Sequence, residues 1–195
     1  MAEKEKPNTS LTVTGKPFGP TCEELARIGD RAMTLESVRK YIGCGNVRRL
    51  YVEALDDKGT KPPSRFRVTL YDDTNHRAIF IDGSLGDPRR VDITESAQPP
   101  HPSDREFAEA VKIVRGDAAF ATAIDAGQLE PYQPIPALAL NALPDGWIER
   151  RIAVGLRPRS GDTEREIVAV DLAFRRVIRF EERLPPNVFP KRVGA

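Results

Sequence analysis

The stretch from residue 148 to residue 182 decides the fold of this chain. It contains three short apolar segments, which read Arg151-Ile-Ala-Val-Gly-Leu156, Glu166-Ile-Val-Ala-Val-Asp-Leu172 and Val177-Ile-Arg-Phe180. Each segment is rich in Val, Ile and Leu and is bounded by Pro, Gly, Asp or Arg, which is typical of antiparallel strands. The stretch therefore predicts three strands joined in a meander.

A similar meander is predicted about ninety residues earlier. In Arg65–Tyr71 the apolar residues Phe66, Val68 and Leu70 alternate with polar ones, as in a strand with one buried face. The turn-forming residues Asp72–Asn75 then lead into His76–Ile81. Two further strands are predicted at Val47–Leu55 and Arg90–Ile93. The two meanders overlay in pattern, with Arg67–Leu70 on Ile152–Leu156 and Arg77–Asp82 on Ile167–Asp171.

A helix precedes each meander. Thr21 is placed to cap a helix over Cys22–Met33, and a second helical piece runs from Thr34 to Ile42. In the second half, Ser103 and Glu106 have the spacing of a capping box before a helix over Asp104–Val114. An antiparallel sheet with one apolar face needs a cover, and one amphipathic helix is the smallest that suffices.

These patterns predict an α+β chain of two tandem units, each a helix packed on a four-stranded antiparallel sheet. The predicted boundaries are a flexible N-terminal segment (1–20), a first unit (21–96), a Pro-rich linker (97–103), a second unit (104–184) and a C-terminal tail (185–195).

Several of these segments carry a family resemblance. Ser103–Val114, Leu129-Glu-Pro131, Glu166–Leu172 and the final Arg176–Glu182 together resemble the small cystatin-like domains that precede the catalytic domain in copper amine oxidases. The resemblance implies a cystatin-like fold for both units and a non-catalytic role. The quinone-forming Thr-x-x-Asn-Tyr motif of the oxidases is missing, and two histidines, His76 and His101, cannot supply three copper ligands. No catalytic residue, metal or cofactor is therefore expected.

The composition of the chain bears on its partners, its location and its cysteines. Lys plus Arg (30) nearly balance Asp plus Glu (29), so nucleic acid is not an expected partner. No apolar run approaches the roughly 20 residues that span a bilayer, so no membrane partner is expected. The first ten residues do not resemble a secretory signal, which predicts the cytoplasm for a complete chain and the periplasm or secretion for a trimmed one. Cys22 and Cys44 could form one bridge, but two buried thiols are favoured.

A few residues are candidates for a site. Trp147, with Tyr132 and Phe120, could line a ligand pocket at the mouth between helix and sheet, or each could be a core residue. His76 could act as a general base in a pocket, although a surface histidine is favoured. The carboxylate pairs Asp72-Asp73 and Asp56-Asp57 could hold a hard cation, but their positions favour local turn bonds. The arginine pairs near strand ends, which are 48–49, 89–90, 150–151 and 175–176, predict solvated, salt-bridged rims or a surface for an anionic partner.

Two hypotheses of function follow. The first is a non-catalytic protein-interaction module that acts as a self-associating scaffold or as an accessory subunit of a separately encoded oxidase-like catalytic chain. The alternative is a small-molecule-binding protein or enzyme that uses the concave sheet face, with His76 or nearby carboxylates as acid and base groups.

Overall fold

The described residues of the chain form two antiparallel sheets, each preceded by helices. The structure is a computed structural model and describes residues 18–55, 62–142, 148–159 and 165–179. The first half contains α1 (Cys22–Thr34), α2 (Glu36–Ile42), β1 (Val47–Leu55), β2 (Arg65–Asp72), β3 (Arg77–Ser84) and β4 (Val91–Ser96). The second half contains α3 (Asp104–Gly116), α4 (Ala121–Asp125), β5 (Leu129–Tyr132), β6 (Leu138–Ala142), β7 (Ile148–Pro158), β8 (Glu166–Asp171) and β9 (Arg176–Arg179). The predicted α+β class is confirmed.

The first sheet has the strand order β1-β2-β3-β4, with every neighbouring pair antiparallel. Phe66, Val68 and Leu70 point to one face and are fully buried, as their alternation predicts. They form a core with Ala32 of α1 and Val38 of α2. Gly29 lets α1 approach closely, because a Cβ there would lie 2.5 Å from the side chain of Val52 on β1. The helices therefore cover the apolar face of the sheet.

The second sheet has five strands instead of the four predicted. Strands β5 and β6 lie one after the other along the same edge of β7, and β8 and β9 complete the sheet. The register pairs Tyr132 with Gly155 and Leu138 with Ile152. The interruption between β5 and β6 contains Pro134 and Pro136, which have no N–H to donate to a strand ladder. The edge of β7 is therefore lined by two short strands with a break between them.

The second core lies between α3, α4 and the second sheet. Its central side chains include Val114 of α3, Val154 of β7 and Val168 of β8, all fully buried. Tyr132 lies on the other side of this sheet, where a Cβ on Gly155 would come within 2.3 Å of its ring. A flat aromatic ring over a glycine on the neighbouring strand fills the space that the missing side chain leaves.

Both predicted helix starts are confirmed. The Thr21 hydroxyl accepts from the Glu24 backbone N–H at 3.2 Å, and the Thr21 N–H donates to the Glu24 carboxylate at 2.8 Å. Ser103 and Glu106 make the same reciprocal pair at the start of α3. Two orphan N–H groups at each helix start thus gain partners from nearby residues.

The two cysteines are exposed and unbridged. The favoured prediction of buried thiols is wrong, because Cys22 is the first residue of α1 and Cys44 lies in the loop after α2, both outside the apolar helix faces. No helix in the described part of the chain is long and apolar enough to span a bilayer.

Candidate functional site

Arg150 joins the two halves of the chain at a buried junction. Its side chain is fully buried at the start of β7. The guanidinium donates to both oxygens of the Glu106 carboxylate on α3, each at 2.8 Å. It also donates to the backbone carbonyl oxygens of Pro100 and His101, at 2.9 and 3.2 Å. One side chain therefore ties the second sheet, its covering helix and the segment between the two halves.

The junction continues into the first half through Arg48 of β1. The Arg48 guanidinium lies 3.6 Å from the Glu106 carboxylate and makes a two-pronged hydrogen bond to Asp73, at 2.7 and 2.6 Å. Arg150 also lies over the ring of Tyr71 on β2, with its guanidinium carbon 5.0 Å from the ring centroid. Two cations and two carboxylates, none more than a quarter exposed, thus alternate across the boundary between the halves.

Burial and charge oppose each other at these carboxylates. Burial alone raises the pKa of the Glu106 carboxyl, but the hydrogen bonds and charge of Arg150, the Ser103 N–H and the charge of Arg48 outweigh it, so the pKa lies below its ordinary value. At Asp73 burial prevails over the bonds and charge of Arg48, so the pKa of Asp73 is raised. Glu106 is therefore held as a carboxylate by its partners.

The pKa of the Tyr71 hydroxyl at the junction is strongly raised. Burial raises its pKa to about 12, and the guanidinium and backbone N–H of Arg150 oppose this rise only in part. The hydroxyl oxygen makes no hydrogen bond of normal geometry with the part of the chain that the structure describes. Because the phenol is protonated at neutral pH, it is unsuited to act as a base there. The charged groups around it are engaged with one another, so the arrangement is suited to holding the two halves together.

The structure does not bring the three aromatic pocket candidates together. Phe120 is buried in the core between helix and sheet, packed with the α3 side of the second sheet, and the Arg179 guanidinium lies over its ring at 5.0 Å. Tyr132 lies on the opposite face of that sheet, over Gly155. Trp147 lies outside the described residues. Phe120 and Tyr132 therefore cannot line the same pocket.

His76 and Asp72 belong to a tight hairpin turn between β2 and β3. The Asp72 carboxylate accepts from the backbone N–H groups of Thr74 and Asn75, at 3.0 and 3.1 Å, and from the Asn75 side-chain amide at 2.7 Å. His76 is the fourth loop residue and has a φ of 51°, so it lies in the turn and does not begin β3 as predicted. The favoured turn interpretation of Asp72 thus agrees with its bonds, while Asp56 and Asp57 lie outside the described residues.

The same turn occurs between β8 and β9. Asp171 accepts from the Phe174 N–H at 3.1 Å, and Arg175 has the same φ of 51° as His76. In the first half this turn joins the second and third strands of the sheet order, whereas β8 and β9 are the last two of theirs. The likeness therefore reflects local turn chemistry at two places that do not correspond in the sheets.

Sequence reasoning missed the junction. The pair Arg150-Arg151 is predicted as a solvated rim, but Arg150 is buried, so this prediction is wrong for Arg150. A signal was present, because Arg150 has the same strand parity as the apolar residues Ile152 and Val154 and therefore points to the helix-covered face. An arginine at a core position predicts a buried acidic partner, though not which one.

A search for metal sites in the described residues and comparisons with known proteins gave no match. Within the described ranges, no group of three or more His, Cys, Asp or Glu residues is placed to hold a metal ion. No family model matches the chain, and no curated protein matches it either.

Proposed function

We propose that the chain is a non-catalytic protein-interaction module built from two tandem cystatin-like units. The order of elements supports this proposal, because in each half the helices come first and cover one face of an antiparallel sheet. The resemblance to the domains that precede the catalytic domain in copper amine oxidases points to the same class of function.

The observation that carries the proposal is the Arg150 junction. A buried guanidinium that bonds to α3 and to two linker carbonyls, and stacks on Tyr71 of the other half, opposes rotation of one half against the other. A binding surface whose parts are held in place loses less conformational entropy when a partner binds. A rigid two-unit body is therefore suited to present one surface to another protein.

The finer proposal is that the module is a scaffold or an accessory subunit of a separately encoded oxidase-like chain. Chemical cross-linking in the native cell, followed by purification through a tag on this chain and mass spectrometry, tests it. A stoichiometric partner that carries Thr-x-x-Asn-Tyr and His-x-His motifs would support the accessory role. Light scattering on the purified chain tests self-association, and a monomer that cross-links to no partner would contradict both versions.

A second candidate function is small-molecule binding on the face of the first sheet turned away from α1 and α2. Thr69 and Tyr71 lie on this face, both are buried, and neither hydroxyl has a hydrogen-bonding partner of normal geometry among the described residues. A polar ligand would have to displace the groups that cover these hydroxyls, Arg150 over Tyr71 among them, and would then gain two hydrogen bonds. Thermal-shift screening of a fragment library tests this, and hits that bind Tyr71→Phe and wild type equally would count against it. Unchanged binding in His76→Ala would remove the predicted role of His76.

A further inference from the structure

A groove of about 650 Å³ lies on the first half, between the start of α1 and the loops that flank β2 and β3. Its walls are mostly apolar and comprise Phe18, Pro20, Ile28, Pro62, Pro63, Leu85 and Pro88. Phe18, one of these lining residues, is 58% exposed. A volume of this size accommodates two or three side chains of a bound molecule.

The walls of the groove are held in place by short contacts. The Leu85 N–H donates to the Ser64 carbonyl at 2.9 Å, which ties the loop after β3 to the residues before β2. A Cβ on Gly19 would come within 3.2 Å of the Pro63 ring, so the segment before α1 packs directly on this wall. The groove is therefore formed before any partner binds.

The groove cannot bind a partner chiefly through its backbone. Four prolines line it, and proline has no N–H to donate to an added strand. Recognition must therefore come from apolar contacts inside the groove and from charged groups at its edge.

Two arginines, Arg27 and Arg31, line the edge of the groove. Arg27 and Arg31 lie four residues apart on the exposed side of α1, which places them one above the other on one helix face. Within the part of the chain that the structure describes, neither guanidinium makes a hydrogen bond or an ion pair of 4.0 Å or less, although the charge of Arg27 acts on the nearby Glu24 carboxylate. Among the described lining residues the one acidic group is Glu24, which accepts from the N–H and hydroxyl of Thr21 in the helix cap. The edge of the groove is therefore net positive and open to a carboxylate.

We infer that this groove is the docking site for a linear segment of a partner protein in which apolar side chains alternate with Asp or Glu. The apolar side chains enter the proline-lined groove, and the carboxylates pair with Arg27 and Arg31. The inference rests on the proposed function and specifies the kind of partner sequence that the module binds.

Selection from a random dodecapeptide display library on the native chain tests the inference. The selected peptides are expected to share acidic and apolar positions. A synthetic peptide of the consensus, labelled for fluorescence anisotropy, is expected to bind Arg27→Glu/Arg31→Glu roughly tenfold more weakly or worse, and to bind wild type more weakly at high salt. The matched control is Arg39→Glu/Lys40→Glu on α2, which makes the same charge change at exposed positions outside the groove lining. The affinity of this control variant for the peptide is expected to equal that of wild type.

Three results with binding peptides or with the native chain would overturn the inference, and the failure to select any such peptide is a fourth. The first three are selected peptides without acidic positions, equal loss of affinity in the two double variants, and a dimer of the native chain that Arg27→Glu/Arg31→Glu dissociates, since the occupant would then be a second copy. Circular dichroism verifies that both double variants are folded. If the library yields no groove-dependent peptide while the chain still cross-links to a stoichiometric partner, the groove inference fails and the proposed function stands.

Discussion

Replacing Arg150 by methionine keeps the length and apolar stem of the side chain and removes its charge and all five donor groups. The Glu106 carboxylate, whose side chain is only 6% exposed, would lose the two bonds of 2.8 Å that Arg150 supplies. The carbonyls of Pro100 and His101 would lose their donor as well. Removing one partner of a buried ion pair is worth about 3–5 kcal/mol of unfolding free energy. We therefore expect the free energy of unfolding of Arg150→Met at neutral pH to be lower than that of the wild type by an amount in this range.

The loss should depend on pH in a defined direction. In the wild type the pKa of Glu106 is lowered, so its contribution to stability is complete above the unfolded-state pKa and disappears as the pH falls through the folded-state pKa. Without Arg150, burial dominates and raises the pKa of Glu106 in the folded state. The variant then loses stability as the pH rises above the unfolded-state pKa of a glutamate. The difference between wild type and Arg150→Met should therefore shrink on going from neutral to mildly acidic pH.

Urea unfolding followed by far-ultraviolet circular dichroism measures both effects. The control is Arg157→Met on the same strand, because Arg157 is 54% exposed and its ion pair with Glu130 lies at the surface. An exposed pair contributes about 0–1 kcal/mol. The double variant Arg150→Met/Glu106→Gln also removes the buried carboxylate that Arg150 no longer pairs with, so it should recover part of the lost unfolding free energy. Two results would refute the reasoning. One is that Arg150→Met loses no more unfolding free energy than Arg157→Met, and the other is that the loss in Arg150→Met does not change with pH.

Three further predictions concern single residues, and each is checked by the urea midpoint. Gly155→Ala should lose about 1–3 kcal/mol, because its Cβ would lie 2.3 Å from the Tyr132 ring, and adding Tyr132→Ala should lessen the effect of the methyl group. His76→Gly and Arg175→Gly should each gain up to about 1 kcal/mol, because both residues have a φ of 51°, whereas lower midpoints would contradict strain at these turns. Tyr71→Phe should keep stability or raise it by about 1 kcal/mol at neutral pH, because it removes a buried hydroxyl that makes no hydrogen bond of normal geometry with the described residues. Since the pKa of Tyr71 is raised to about 12, wild type should also lose stability above the ordinary tyrosine pKa more steeply than Tyr71→Phe does.

Local features of the fold could be predicted because neighbouring residues determine them. The predicted cap at Thr21 and the predicted capping box of Ser103 and Glu106 involve residues within one helical turn, and the structure contains both. Strand β1 begins and ends at the predicted residues, since its apolar pattern and the flanking turn formers are local signals. The turn at Asp72 is also local, because its carboxylate accepts from the backbone N–H groups two and three residues further along the chain. The α+β class followed from these elements together.

The candidate site could not be predicted in the same way. Arg150 and Glu106 are 44 residues apart, and their pairing depends on how α3 lies across the start of β7. The division of Tyr132 and Phe120 between opposite faces of the sheet depends on the register of β5 with β7. Arg27 and Arg31 belong to a groove only because the loops around Pro63 and Pro88 come together there.

The sequence by itself thus determined the helix starts at Thr21 and Ser103, the bounds of β1 and the turn at Asp72, because caps, apolar periodicity and turn chemistry act over a few residues. Tertiary structure alone decided the partners of the buried charges, the five-stranded second sheet and the exposure of the cysteines. The physical reason is that burial and pairing of a side chain depend on which distant surfaces meet. The stretch from residue 148 to residue 182 illustrates both kinds of feature. Its strands could be predicted from local sequence, whereas the burial of Arg150 in one of them could not.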